Sequence, residues 1–386
     1  MFSKPTPFGW IKRLKQSEPQ PETPPNVCDH PYKSLPAKAY WRAAVSDQSA
    51  APTTDYVAPK WPITRKDFIA TAGSCFAQHI GNRLKSKGYN VIDAEPAPEF
   101  LPESLHQKFG YGIYSGRYGN IYTPRQFLML AKEAFGEIEP FTDVWRKGDR
   151  FVDPLRPTID PEGYLSTEAV LLHRRTHLAK VKKLLQDAEI LVFTLGLTET
   201  WEDTLTGHAL PVCPGVSAGD FDPDRYKFRN FSFSEIYQDL VDLRTLLHRH
   251  GSESPVRLLL TVSPVPLTAT ASGQHVMVAS TYSKSVLRAV AGQMVNDFDD
   301  VDYFPSYEIV SNPWTPEPRY EANMRSVSAS AVDAVMETFM GIHDNGAVAL
   351  VPEKSPKTEE RAPLEEDPSM VVKCDEELLD AFGSNK

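Results

Sequence analysis

Residues 71–77, Thr-Ala-Gly-Ser-Cys-Phe-Ala, place two nucleophilic side chains, Ser74 and Cys75, side by side where a mostly apolar run (Phe68 to Ala72) gives way to a helical pattern. A strand-to-helix junction lifts a side chain clear of a sheet edge. The unpaired N–H groups at the start of the helix then lower a thiol pKa or stabilise a developing oxyanion. The chemistry this suits is nucleophilic acyl transfer, although a tight turn of small residues around a buried cysteine has the same composition. His79, four residues after Cys75, is within one helical turn of it and as an imidazolium would tune the thiol; an ordinary helix-surface histidine satisfies the same spacing. His173 and His177 share i,i+4 spacing, but Arg174 and Arg175 stand between them and the Glu of HExxH is missing, so no metal site is expected. Neither a Walker loop nor GxGxxG occurs, and no nucleotide cofactor is implied.

The elements that must position these residues follow from the hydrophobic pattern. Short apolar runs predict strands at Phe68–Ala72, Ile190–Leu195, Val256–Val262 and Val301–Phe304. Periods near 3.6 predict helices at Phe76–Lys87, Ser166–Gln186, Phe233–His250, Thr281–Phe298 and Ser328–Ile342, with Ser328 as the N-cap of the last. This alternation is that of an α/β domain with a central parallel sheet covered by helices. Residues 96–160, rich in Gly, Pro and aromatics, read as a large insertion over the strand ends. Ligands of such sheets bind beyond the carboxyl ends of the strands.

With 386 residues and 41% hydrophobic side chains the chain can build a sizeable core. Its formal charge of −10, from 41 basic and 51 acidic residues, argues against a general nucleic-acid binder. Residues 1–29 read as a disordered tail, in which Phe8 to Lys15 can also form a short basic amphipathic turn. Residues 352–386 hold ten acidic and five basic residues and read as an acidic disordered tail, whose Glu376–Phe382 stretch is a candidate helical turn on a partner. One domain, 30–351, is expected between them. Cys28, Cys75, Cys213 and Cys374 show no CxxC spacing, so a reducing cytoplasm fits. No run approaches the roughly 18 apolar residues of a membrane span.

Gly73-Ser74-Cys75-Phe76-Ala77 reads letter for letter as the signature of the GSCFA family, whose members resemble SGNH (GDSL-type) esterases and acyltransferases. Four further segments fall in the family's order between about His30 and His343: Tyr118–Tyr122, Thr194–Trp201, Ser263–Val265 and Tyr303–Glu308. The resemblance implies an SGNH-like three-layer sandwich and an esterase or O-acyltransferase acting on an acylated carbohydrate or other small acylated substrate. In the SGNH register Cys75 falls on the nucleophilic serine, and Ser74 remains the alternative. Gly119 and Asn120 match the loop-glycine region, while Thr198, followed by Glu199, stands where the oxyanion asparagine would be. Asn323 and Ser326 replace the aspartate and histidine of the Asp-x-x-His block, and neither accepts a proton near neutral pH. His275, in the loop after the third strand, is then the candidate base, with Arg325 a substrate-binding candidate. The same loss supports a second reading, a silent binding protein that has kept the pocket.

Overall fold

The computed structural model describes residues 30–47, 56–251, 255–314, 318–343, 378–379 and 382. Both expected tails otherwise lie outside the described residues. The chain divides into two units, Met1–Ser49 and Ala50–Lys386. Residues 31–46 form short 3₁₀ and π turns in which no residue is buried.

In the second unit, β1 (Ile69–Gly73), β4 (Ile190–Leu195), β8 (Arg257–Val262) and β9 (Val301–Phe304) form a four-stranded sheet in the order β1-β4-β8-β9, with every pair parallel. Strands buried on both faces need continuous apolar runs, which is how these segments read. The register brings Gly73, Thr194, Thr261 and Phe304 into one row at the carboxyl edge. One face is covered by α2 (Pro124–Phe135), α3 (Thr167–Asp187), α4 (Phe233–His250) and α5 (Val276–Asp297), through residues such as Phe127, Val181, Leu240 and Leu287. The other is covered by α1 (Ala77–Ser86), α6 (Ser306–Ser311) and α7 (Ala329–His343), through Ile80, Ile309 and Phe339. The result is a three-layer α/β sandwich.

Each predicted strand and helix is present, with ends displaced by a few residues. The largest displacement is α5, which begins at Val276 rather than Thr281 because His275 caps it with an imidazole nitrogen, accepting the Met277 N–H at 3.1 Å. The usual cap signals are Ser, Thr, Asp and Asn, so the sequence hid this start. Ser328 accepts the Ala331 N–H and caps α7 as expected.

Residues 96–160 depart further from expectation. They contain α2, a core helix with Thr123 at its N-cap and Pro124 as its first residue, so this stretch is part of the sandwich as well as cover. They also contain a hairpin of β2 (Trp145–Lys147) and β3 (Arg150–Val152). A second antiparallel sheet, β5 (Glu199–Asp203) between β6 (His208–Leu210) and β7 (Tyr226–Asn230), was not legible in the pattern; its strands are three to five residues long.

Candidate functional site

β1 ends at Gly73 with φ 138°, a conformation essentially reserved for glycine. A Cβ there would stand 2.4 Å from the Thr194 carbonyl oxygen, so the chain turns against β4 with no room for a side chain. The Ser74 N–H still donates to Thr194 O at 3.2 Å, and Ala77 N–H donates to Ser74 O at 2.8 Å, which opens α1. Ser74 is buried, and its Oγ has no hydrogen-bond partner. Cys75 is 9% exposed and disulfide-bonded, so its thiol becomes a nucleophile only on reduction. Cys213, the free cysteine among the described residues, has its pKa pushed up to about 11 by burial, which makes it a poor thiolate.

Two loops close on this turn. The Ile121 N–H donates to Gly73 O at 2.9 Å, bringing Gly119 and Asn120 to the strand end. Tyr114 Oη donates to Asn120 Oδ1 at 2.8 Å and Gln126 Nε2 to Asn120 O at 2.8 Å, so the buried Asn120 amide is fixed in orientation. Gly119, at φ 69°, has open space around its Cα. After β4, the Gly196 and Leu197 N–H groups both donate to Tyr122 O, at 2.9 and 3.0 Å. Gly196 lies so close to Ser74 that a Cβ on it would be 3.1 Å from Ser74 Cβ.

Thr198, the expected oxyanion donor, is engaged within the protein. Its hydroxyl donates to Asn230 Oδ1 at 2.7 Å and its N–H to Ser283 Oγ at 2.9 Å, so both donors are committed within the protein. Glu199 accepts a hydrogen bond from Thr270 at 2.8 Å; burial pushes its pKa up, with Thr270 opposing.

His275 is exposed, and one ring nitrogen is occupied in capping α5. Asn323 and Ser326 bond to each other in the loop before α7. Asn323 Nδ2 donates to Ser326 Oγ at 2.9 Å, while Asn323 Oδ1 accepts the N–H groups of Arg325 and Ser326 at 3.0 and 2.9 Å. This loop is tied to the one after β8 by Tyr320 Oη to Pro264 O at 3.0 Å and Arg325 Nε to Pro266 O at 3.3 Å. The His79 ring lies tilted against Phe76, and burial pushes its pKa down to about 4, so it is neutral near pH 7 and no imidazolium partner for the thiol.

Lys284 is the site residue that the sequence reading missed. It lies on the apolar stripe of α5 with Ala279, Leu287, Val290 and Met294, is 3% exposed, and donates from Nζ to Gly196 O at 2.7 Å. A lysine inside a helical apolar stripe was the available signal.

His177 and its neighbours form a separate buried polar cluster between α2 and α3. His177 Nδ1 pairs with Glu95 at 2.8 Å and His208 Nε2 with Glu133 at 3.0 Å; Arg174 bridges Glu133 and Asp153, which also binds Arg156 at 2.8 Å. Arg174, His177 and His208 line a narrow cavity with Tyr118, Ile121 and Gln126, beside the Ser74–Cys75 turn rather than at it.

Fold and site together define an α/β sandwich protein with the Gly73–Ser74–Cys75 turn at the carboxyl edge of its parallel sheet. A sequence model of the GSCFA family matches residues 68–339, and the chain belongs to that family. No curated protein matches it. Among the described residues no helix is long and apolar enough to cross a membrane.

Proposed function

We propose that the protein is an acyl-transfer enzyme, an esterase or O-acyltransferase of small acylated molecules such as acylated carbohydrates, working in the cytoplasm. The observation that carries this reading is the Gly73–Ser74–Cys75 turn, which places Cys75, a thiol once its disulfide is reduced, at a helix start on the carboxyl edge of a parallel sheet. In this reading the Cys75 thiolate attacks the acyl carbon, a thioester forms as the C–O bond breaks, and the departing alkoxide takes a proton. Water or a second alcohol then releases the acyl group. Asn120, whose Oδ1 is held by Tyr114, is the candidate side-chain donor for polarising the carbonyl. Reduced protein should be acylated by 4-nitrophenyl acetate; Cys75→Ala should abolish the modification, and Ser74→Ala only weaken it. Modification that survives Cys75→Ala and vanishes in Ser74→Ala transfers the role to Ser74.

One observation favours a second reading, a binding protein. The Asn323–Ser326 hydrogen bond preserves the dyad turn with no group able to take a proton. An absence of turnover on a broad panel of acyl esters, with reduced protein, would decide for it.

A further inference from the structure

Lys284 occupies a costly place for a lysine. An ammonium taken from water into an apolar helix face loses hydration that only partners can restore, so such a position is retained for what the amine does. Its Nζ is 2.7 Å from the carbonyl oxygen of Gly196, and Gly196 packs directly on Ser74, the neighbour of Cys75. The preceding residue, Ser283, takes the Thr198 N–H. Consecutive residues of α5 thus hold both ends of the turn that walls the junction.

Thiolate chemistry generates negative charge there twice, on sulfur and then on the carbonyl oxygen. The imidazole that would balance it is missing: Ser326 stands at its place, His275 caps α5, and His79 is neutral. Among the described residues, titratable and charged groups on the segments around the junction include His79 on α1, Tyr114, Arg117, Tyr118 and Tyr122 in the loop before α2, Glu199 after the β4 turn, Lys284 on α5, Tyr307 and Glu308 on α6, and Arg325 in the loop before α7. Of these cations, Arg117 is tied to Phe109 O and Arg325 to Pro266 O, while Lys284 is fully buried behind the β4 turn.

We propose that Lys284 is the electrostatic partner of the nucleophile: its ammonium, held behind Gly196, stabilises the Cys75 thiolate and then the oxyanion of the tetrahedral intermediate. The inference rests on Cys75 being the nucleophile. The thiol proton is released to solvent before attack; the thiolate then adds to the acyl carbon to form the oxyanion, whose collapse breaks the C–O bond, and the leaving alkoxide takes its proton from water.

The test uses the full chain with Cys28, Cys213 and Cys374 replaced by serine, so that Cys75 is the remaining thiol, and follows iodoacetamide alkylation against pH. A midpoint below the ordinary thiol value of about 8.5 is expected. Lys284→Gln, which keeps a donor for Gly196 O but removes the charge, should raise the midpoint by at least about one unit and slow alkylation near neutrality about tenfold. Lys284→Arg should stay near the parent. An unchanged midpoint in Lys284→Gln, with native melting, overturns the proposal. If that variant does not fold, the parent decides, because a midpoint at or above about 8.5 overturns it equally. Alkylation needs no acyl substrate, so a protein that behaves as expected here yet turns over no ester loses the acyl-transfer reading and the oxyanion role, and keeps Lys284 as partner of the Cys75 thiolate.

Discussion

At the scale of single residues, the site is defined by what each side chain has already given away. Thr198 illustrates this: with its hydroxyl on Asn230 and its N–H on Ser283, it is a structural link between the β4 turn and β7. Thr198→Val should therefore leave Asn230 Oδ1 short of a donor and lower stability by about 1–3 kcal/mol, measurable by urea denaturation. A protein of unchanged stability whose turnover alone falls would return Thr198 to the oxyanion role. Gly73 presents the opposite case, since its constraint is steric. A Cβ 2.4 Å from Thr194 O at φ 138° forces the strand end apart, and Gly73→Ala should cost at least ~3 kcal/mol, read from the melting transition, and displace the Ser74–Cys75 turn with it.

At the scale of elements, helices were legible where an amphipathic stripe met an ordinary cap, and misread where either was unusual. α4 carries a full capping box, Ser232 with Glu235, and was placed to the residue. Ser232→Ala should cost about 1 kcal/mol in urea denaturation, and a neutral result would mean that packing alone fixes that end. α2 was missed because its twelve residues sit in a Gly- and Pro-rich stretch, and its partner is electrostatic as well as apolar: Glu133 on α2 binds Arg174 on α3. Arg174→Met leaves Glu133 and Asp153 each short of a buried cation. It should cost about 3–5 kcal/mol by the same measurement, whereas a loss under about 1 kcal/mol would show that His208 and Arg156 suffice.

At the scale of the whole molecule, the buried titratable groups set how stability depends on pH. Burial, and after it the charge of Arg156, pushes the pKa of His177 down to about 4 from 6.5. Burial would raise Glu95, but the His177 hydrogen bond, with the charge of Arg156 and the Arg117 N–H, outweighs it and holds Glu95 at about 2 against 4.5. In both cases the unfolded chain binds the proton more readily. Stability should therefore be level above pH 6.5, fall as His177 is forced to protonate between 6.5 and about 4, and fall again between 4.5 and about 2. Asp239, raised to about 6 by burial against the pull of Arg125, works in the opposite direction between 6 and 3.8. His79, with its pKa near 4, adds to the His177 loss. Melting temperatures measured across this range check the sign; a protein that melts higher at pH 4.5 than at pH 7 would contradict it.

The sequence by itself determined the sheet and the place of the Gly-Ser-Cys turn at its carboxyl edge. Continuous apolar runs are required of strands buried on both faces, and the Gly-Ser-Cys turn at the end of the first of them is a local feature that needs no distant partner to be seen. The tertiary structure decided which polar groups remain available there. Whether Thr198 can donate depends on Asn230 and Ser283, 32 and 85 residues away, and whether His275 is a loop base or a helix cap depends on where α5 starts. Lys284 reads in the sequence as a charge misplaced in an apolar stripe. Only the packing of α5 against the β4 turn, 88 residues distant, brings its amine to Gly196 and to the edge of the site, because hydrogen-bond partners are assigned by the fold and not by spacing along the chain.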